Sequence, residues 1–135
     1  MIKIAKLSKE DVMACGYVPD PHTVTLKDDG EWYALGVDDK WVTFVCIRPR
    51  GDEMHIREVF TVPEYRRRGY LYKLVSYVVD VEYAGYQISV HALRKSRDCF
   101  KKCGFKEFSF RHFKYGDQWW LRRPGEKLSE ISSKR

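Results

Sequence analysis

Apolar residues along this chain fall first into short alternating or continuous runs and then switch to a helical spacing. Glu31 to Val37, with Trp32, Tyr33 and Leu35, reads as a strand. Asp38-Asp39 turns the chain into Lys40 to Ile47. There, Trp41-Val42-Thr43-Phe44-Val45-Cys46-Ile47 has the β-branched and aromatic content of a buried central strand. Arg48-Pro49-Arg50-Gly51-Asp52 is the next turn. From Met54 to Val62, the residues Met54, Ile56, Phe60 and Val62 alternate onto one face, with Glu58 as the exception. After Pro63, Leu71, Leu74, Val75, Val78 and Val79 recur at spacings of three and four, predicting a helix that ends near Ala84-Gly85.

Gln87 to Ala92 is then a short apolar strand, and Ser96 to Cys103 a second helix stopped by Gly104. Two aromatic strands, Phe105 to Tyr115 and Gln118 to Arg123, flank the turn signal Gly116-Asp117. Ahead of the meander, Ser8-Lys9-Glu10-Asp11 is a capping box without its ideal glutamate, opening a short helix that ends near Cys15-Gly16. Pro19, Pro21 and Lys27-Asp28-Asp29-Gly30 mark loops. The order of elements is strands, a helix, a strand, a helix and a hairpin. It predicts one mixed α/β domain over residues 1–123 around a twisted central sheet, with a polar, frayed tail over 124–135.

Composition agrees with a folded domain: 44% of the 135 residues are hydrophobic and 15% aromatic, enough apolar surface for a core at this length. No apolar run approaches the roughly 20 residues that cross a bilayer. The Lys-interrupted segment Met1 to Leu7 is too short for a signal peptide, so a cytoplasmic protein is expected. Cys15, Cys46, Cys99 and Cys103 fit reduced thiols. Cys99 and Cys103 stand four apart, without the paired spacing of a zinc site, and no metal is expected. Lys and Arg outnumber Asp and Glu by 25 to 19, a net charge of +6. That balance attracts anions, among which nucleic acids, acidic proteins and phosphorylated cofactors are not distinguished.

The chemistry concentrates in Val59-Phe60-Thr61-Val62-Pro63-Glu64-Tyr65-Arg66-Arg67-Arg68-Gly69-Tyr70-Leu71. A strand ends, a proline breaks it, and a glycine-bearing loop runs into a helix. Main-chain N–H groups at such a helix start lack partners, point outward and are reinforced by the helix dipole. Gly69 permits close approach of an anion because no Cβ intervenes. The three arginines add positive charge at the same place.

This stretch resembles the GNAT family of N-acetyltransferases. The family's R/Q-x-x-G-x-G/A motif matches at Arg66 and Gly69, preceded by Val62-Pro63-Glu64-Tyr65, and departs at Leu71, where glycine or alanine is usual. A second similarity is Ser96-Arg97-Asp98-Cys99-Phe100-Lys101-Lys102-Cys103-Gly104-Phe105, which looks like the family's A-x-x-L-Y-x-K-x-G-F helix and turn. The resemblance covers roughly residues 31 to 123. It implies a sheet flanked by helices with a V-shaped splay between the fourth and fifth strands. It also implies direct transfer of an acetyl group from acetyl-CoA to a primary amine: a protein lysine, a protein N-terminus or a small amine.

On the same resemblance, Phe60, Thr61 and Val62 would pair with the pantetheine arm. Arg66, Arg67, Arg68, Gly69, Tyr70 and Leu71 would hold the pyrophosphate, with Ser96, Phe100 and Lys102 also at the cofactor. For the general base, His55 titrates near neutrality without help, and Glu58 is a lone carboxylate whose pKa burial would raise. His91 is a third choice. The family's proton-donating tyrosine is replaced by Phe100, leaving water, Tyr115, Tyr70 or Tyr72 as donors to the thiolate. A second reading is therefore kept: a non-catalytic module of this fold that binds acyl-CoA or nucleic acid. Interleaved basic and aromatic residues around Trp119-Trp120 point to the latter partner, although one Trp of such a pair in a strand faces the core. The exposed aromatic strands leave monomer and homodimer open.

Overall fold

The computed structural model describes residues 1–15, 30–114 and 116–127. Among them, seven strands form one sheet in the order β1-β2-β3-β4-β5-β7-β6. The strands are β1 (Ile2–Leu7), β2 (Glu31–Val37), β3 (Lys40–Arg50), β4 (Glu53–Thr61), β5 (Ile88–Ala92), β6 (Lys106–Phe113) and β7 (Gly116–Arg123). The helices are α1 (Lys9–Ala14), α2 (Tyr70–Tyr77) and α3 (Arg97–Lys102). All neighbouring strands run antiparallel except β4 and β5, which are parallel and joined through α2. The loops proposed around Pro19, Pro21 and residues 27–29 lie outside the described residues.

The predicted elements are present, with differences that have physical causes. β1 was not anticipated. Its Ile2 and Ile4 alternate with Lys3, but as an edge strand it buries only one face, and its Ile4 packs against the core only partly. The β2–β3 turn places Asp38 and Asp39 at φ 48° and 70°, the left-handed pair that a two-residue hairpin requires. β3 extends through Arg48, Pro49 and Arg50, past the start of the expected turn, because each finds a partner on β4. The helix after Pro63 regularises only at Tyr70 and widens into a π turn over Val78–Glu82 before Gly85 at φ 84° ends it. Beyond β7 the chain does not fray at once. Lys127 bridges to Tyr86, and Gly125 lies so close to the Tyr86 main chain that a Cβ there would collide with it.

Two apolar clusters fill the two faces of the sheet. The larger joins Leu35, Val45, Ile47, Met54, Ile56, Ile88 and Leu121 to Leu74, Val75, Val78 and Val79 of the α2 segment and Phe100 of α3. The smaller sets Val12 of α1 against Trp32, Ala34, Phe44 and Cys46. α1 is short but capped: the Ser8 hydroxyl accepts a hydrogen bond from the Asp11 main-chain N–H at 3.1 Å. No helix among the described residues is long and apolar enough to cross a membrane.

The expected single face for Met54, Ile56, Phe60 and Val62 is wrong. Cys46 pairs with Glu58 but Ile47 pairs with Ile56, so Arg57 is an extra residue, a β-bulge. Met54 and Ile56 therefore face α2, whereas Phe60 and Val62 pack on the α1 side. Glu58, two residues before Phe60, belongs with that second set, which is why it broke the alternation.

Candidate active site at the splayed strands

β4 and β5 pair only at Met54–Ile88, His55–Ser89 and Ile56–Val90. Past the bulge, β4 follows β3 as far as Thr61, while β5 follows β7 as far as Ala92. The two strands part there, and main-chain groups that a continuous ladder would use face an opening instead. The loop after β4 sits at its mouth.

That loop is shaped by its own sequence. Pro63 starts a 3₁₀ turn, with the Tyr65 and Arg66 N–H groups donating to Val62 and Pro63 carbonyls at 2.8 and 3.2 Å. The Arg66 side chain folds back, donating through Nε to the Thr61 carbonyl at 2.9 Å and lying over the Phe60 ring at 5.7 Å. It thereby fixes the end of β4 to the start of the loop. Arg67 and Gly69 both take positive φ, 63° and 80°. A Cβ built on Gly69 meets nothing within 4 Å, so the space above this glycine is open.

α2 then begins with no side-chain cap and no acidic residue in its first turn. Its first i→i−4 bond is Lys73 N–H to the Gly69 carbonyl at 3.1 Å. The N–H groups of Tyr70, Leu71 and Tyr72 therefore have no intrahelical acceptor. Arg66, Arg67, Arg68 and Gly69 are exposed beside them. Most helices answer such a start with Ser, Asp or Glu. Among the described residues no side chain caps this start, and a phosphate has the charge and acceptors to do so. Leu71, at the position where the motif departs, tucks partly against the main core, as does Tyr70.

The titratable candidates separate sharply. His55 is 7% exposed, and its Nδ1 lies 2.8 Å from the Ser89 hydroxyl. Burial, then the nearby His91 and Arg50, push its pKa down to about 3, so it stays neutral and weakly basic. His91 is half-buried and also lowered, by burial and then by Arg50, whose Nη1 is 3.3 Å from its Nε2. Glu58 moves the other way: burial pushes its carboxyl up to about 7. Glu53 shows the contrast. Burial would raise it too, but hydrogen bonds from Gln87, Ser89 and Arg122 outweigh that and hold it below the usual carboxylate range.

The remaining candidates are dispersed. Phe100 is fully buried, edge-to-face with Phe105 at 5.4 Å, and is a core side chain. Ser96 is buried, and its hydroxyl donates to the Leu93 carbonyl at 3.3 Å. Lys102 is exposed at the end of α3, and Tyr72 is 41% exposed on α2. Tyr115 lies outside the described residues. On the α1 side, Phe60, Val62, Pro63 and Glu64 line a cleft of about 420 Å³ together with Trp41, Phe44 and Cys15. The sequence placed Phe60 and Val62 near a ligand. It gave no signal for Trp41 and Phe44, whose position there follows from the β3–β4 register and the bulge.

An open mixed sheet, parted between two parallel strands, with an uncapped glycine-bearing helix start at the gap, defines an α/β domain with an anion site at the mouth of a cleft. The Acetyltransferase (GNAT) family profile matches residues 5–105, and the chain belongs to that family. A comparison with curated proteins finds no match. Among solved structures, the ribosomal-protein-S18-alanine N-acetyltransferase from Escherichia coli is similar over 96% of this chain and 97% of its own, at 18% identity and TM-score 0.74. An IAA acetyltransferase from Bacillus cereus gives 17% identity and TM-score 0.72, over 91% and 99%. A GNAT family acetyltransferase from Elizabethkingia anophelis with acetyl-CoA bound gives 14% identity and TM-score 0.63, over 90% and 97%. These likenesses bear out the predicted fold.

Proposed function

We propose that this chain transfers an acetyl group from acetyl-CoA to a primary amine by direct attack. The observation that carries the reading is the uncapped start of α2 at the mouth of the parted strands, in a chain of this family. The diphosphate sits on the N–H groups of Gly69 to Tyr72 with Arg66, Arg67 and Arg68 around it. The pantetheine arm runs along Phe60, Thr61 and Val62 past the end of the β4–β5 ladder, where the Val62 N–H is already held by the Val42 carbonyl and the Thr61 carbonyl by Arg66. Phe100, Ser96 and Lys102 lie on or beside α3: the first two support that helix from within, and Lys102 offers charge at its exposed end.

Glu58 serves as the general base. A carboxyl near pKa 7 is half-ionised at neutral pH and strong enough to take a proton from an attacking ammonium, which His55 at about 3 is not. The amine nitrogen forms a bond to the thioester carbonyl carbon, the carbon–sulfur bond breaks, and the coenzyme leaves as thiolate. Its proton comes from water in the open mouth or from Tyr70 or Tyr72 beside it, since Phe100 has none to give.

Release of free thiol from acetyl-CoA, measured across a panel of amines, tests the reading. Glu58→Gln should lower the rate by about 10²- to 10⁴-fold, while His55→Ala leaves it within a few-fold. The wild-type rate should rise with pH through about 7 as Glu58 ionises. A flat profile with an unaffected Glu58→Gln rate removes the assignment. Phe100 in place of a proton donor favours a second reading, an acyl-CoA binder without transfer. In that case acetyl-CoA binds and no amine releases thiol.

A further inference from the structure

The sheet face turned away from α2 and α3 carries, beyond the part under α1, a band of arginines laid on aromatic rings. The His55 and His91 rings meet edge-to-face at 4.8 Å, and His91 stacks on Trp120 at 4.3 Å and 14°. The Arg111 guanidinium lies over Trp120 at 4.6 Å. Next to it, Arg122 lies over Phe108 at 4.4 Å, and Phe108 tilts against Trp120 at 6.4 Å. The rings of four strands thus form one continuous ladder whose outer end is cationic.

The band is open. Phe108 is 48% exposed, and Arg50, Lys106 and Arg111 are exposed. Lys106 stands opposite Arg122 in the β6–β7 register and adds its charge to the same face. The carboxylate of Glu53 is already taken by Arg122 at 3.0 Å and Gln87 at 2.8 Å. Among the described residues, no carboxylate pairs with Arg50, Lys106 or Arg111. The charge on this face is therefore strongly of one sign.

We propose that this band binds single-stranded nucleic acid. An acidic peptide would need only scattered positive points. Guanidinium groups held over rings offer something more specific: aromatic and guanidinium planes for a base to stack on, with N–H donors for phosphate oxygens. Phe108 adds an exposed ring beside them. The face is opposite the helices that flank the cofactor loop, and the inference stands whether or not the chain transfers acetyl groups.

Fluorescence anisotropy with a labelled single-stranded oligonucleotide of about 20 nucleotides tests it. Binding should weaken steeply with salt, and Arg111→Ala should make that dependence shallower by about one unit of log–log slope. Phe108→Ala and Arg111→Ala, both at exposed positions, should each weaken binding about tenfold. Lys101→Ala on the opposite face should leave it unchanged, and saturating acetyl-CoA should not displace the oligonucleotide. Equal binding by the Phe108 and Arg111 variants overturns the proposal. So does displacement by acetyl-CoA, which would put the oligonucleotide in the cofactor cleft, or equal affinity for poly-glutamate, which would make the partner an acidic chain.

Discussion

Glu58, His55 and Phe100 show how a side chain's surroundings decide what its chemistry is for. From the sequence, an imidazole next to a candidate cleft outranked a carboxylate as a base. On the proposed reading the order reverses, because burial acts on both and disfavours the charged form of each. It takes the proton from His55 and leaves it on Glu58. Phe100 is the plainer case, fully buried between α3 and the sheet. Its replacement by Ala should cost about 3–5 kcal/mol of stability, since a ring-sized cavity opens where the neighbours are already packed. Urea unfolding followed by tryptophan fluorescence would read that loss. A small change would mean that the core collapses around the gap.

Elements carry the next level of decision. α1 is six residues long, too short to persist without a cap and a packed face. Ser8→Ala should lower stability by about 1 kcal/mol, checked by the same urea midpoint. At the other key helix start, Gly69 has φ 80° with open space above it. The objection to a side chain there is backbone strain rather than collision, of about 1–2 kcal/mol for an L-residue. Gly69→Val should therefore shift the loop and weaken acetyl-CoA binding in a calorimetric titration more than it lowers the melting temperature. Arg66→Ala should weaken binding too, since it frees the Thr61 carbonyl and loosens the end of β4. Unchanged affinity in both variants would place the diphosphate elsewhere.

At the scale of the whole molecule, the buried groups combine into one pH dependence. His55 has a folded pKa of about 3 against 6.5 unfolded, so the unfolded chain holds more protons between those values. Stability rises with pH across that window and is lost as acid drives protons onto the imidazole. Glu58 has a folded value of about 7 against 4.5, so its contribution is complete below pH 4.5 and is lost as pH rises through 7. The two slopes oppose each other between 4.5 and 6.5. Stability should be broadest there and fall on both sides. Glu58→Gln should flatten the upper limb and leave the acid limb in place, as read from urea midpoints against pH. An upper limb that persists in Glu58→Gln would assign it to another group.

By itself, the sequence determined the succession of strands and helices from Glu31 onward, the hairpin at Asp38-Asp39 and the loop from Arg66 to Leu71; it also signalled the last hairpin, but Gly116 and Asp117 pair with Phe113 and His112 as the first residues of β7 instead of forming its turn. Those features are local: they rest on side-chain periodicity, on residues that tolerate positive φ, and on a proline and a glycine placed within one turn of each other. What the tertiary structure decided is what depends on residues far apart in the chain. The extra residue at Arg57 is visible only once β3 is set beside β4, because a bulge is a mismatch between two strands and leaves no mark in either alone. That mismatch turned Glu58 and Phe60 to the α1 side, where Phe60 packs with Phe44 and Cys46. Solvent exposure belongs to a position in the fold, and no spacing along the chain encodes it.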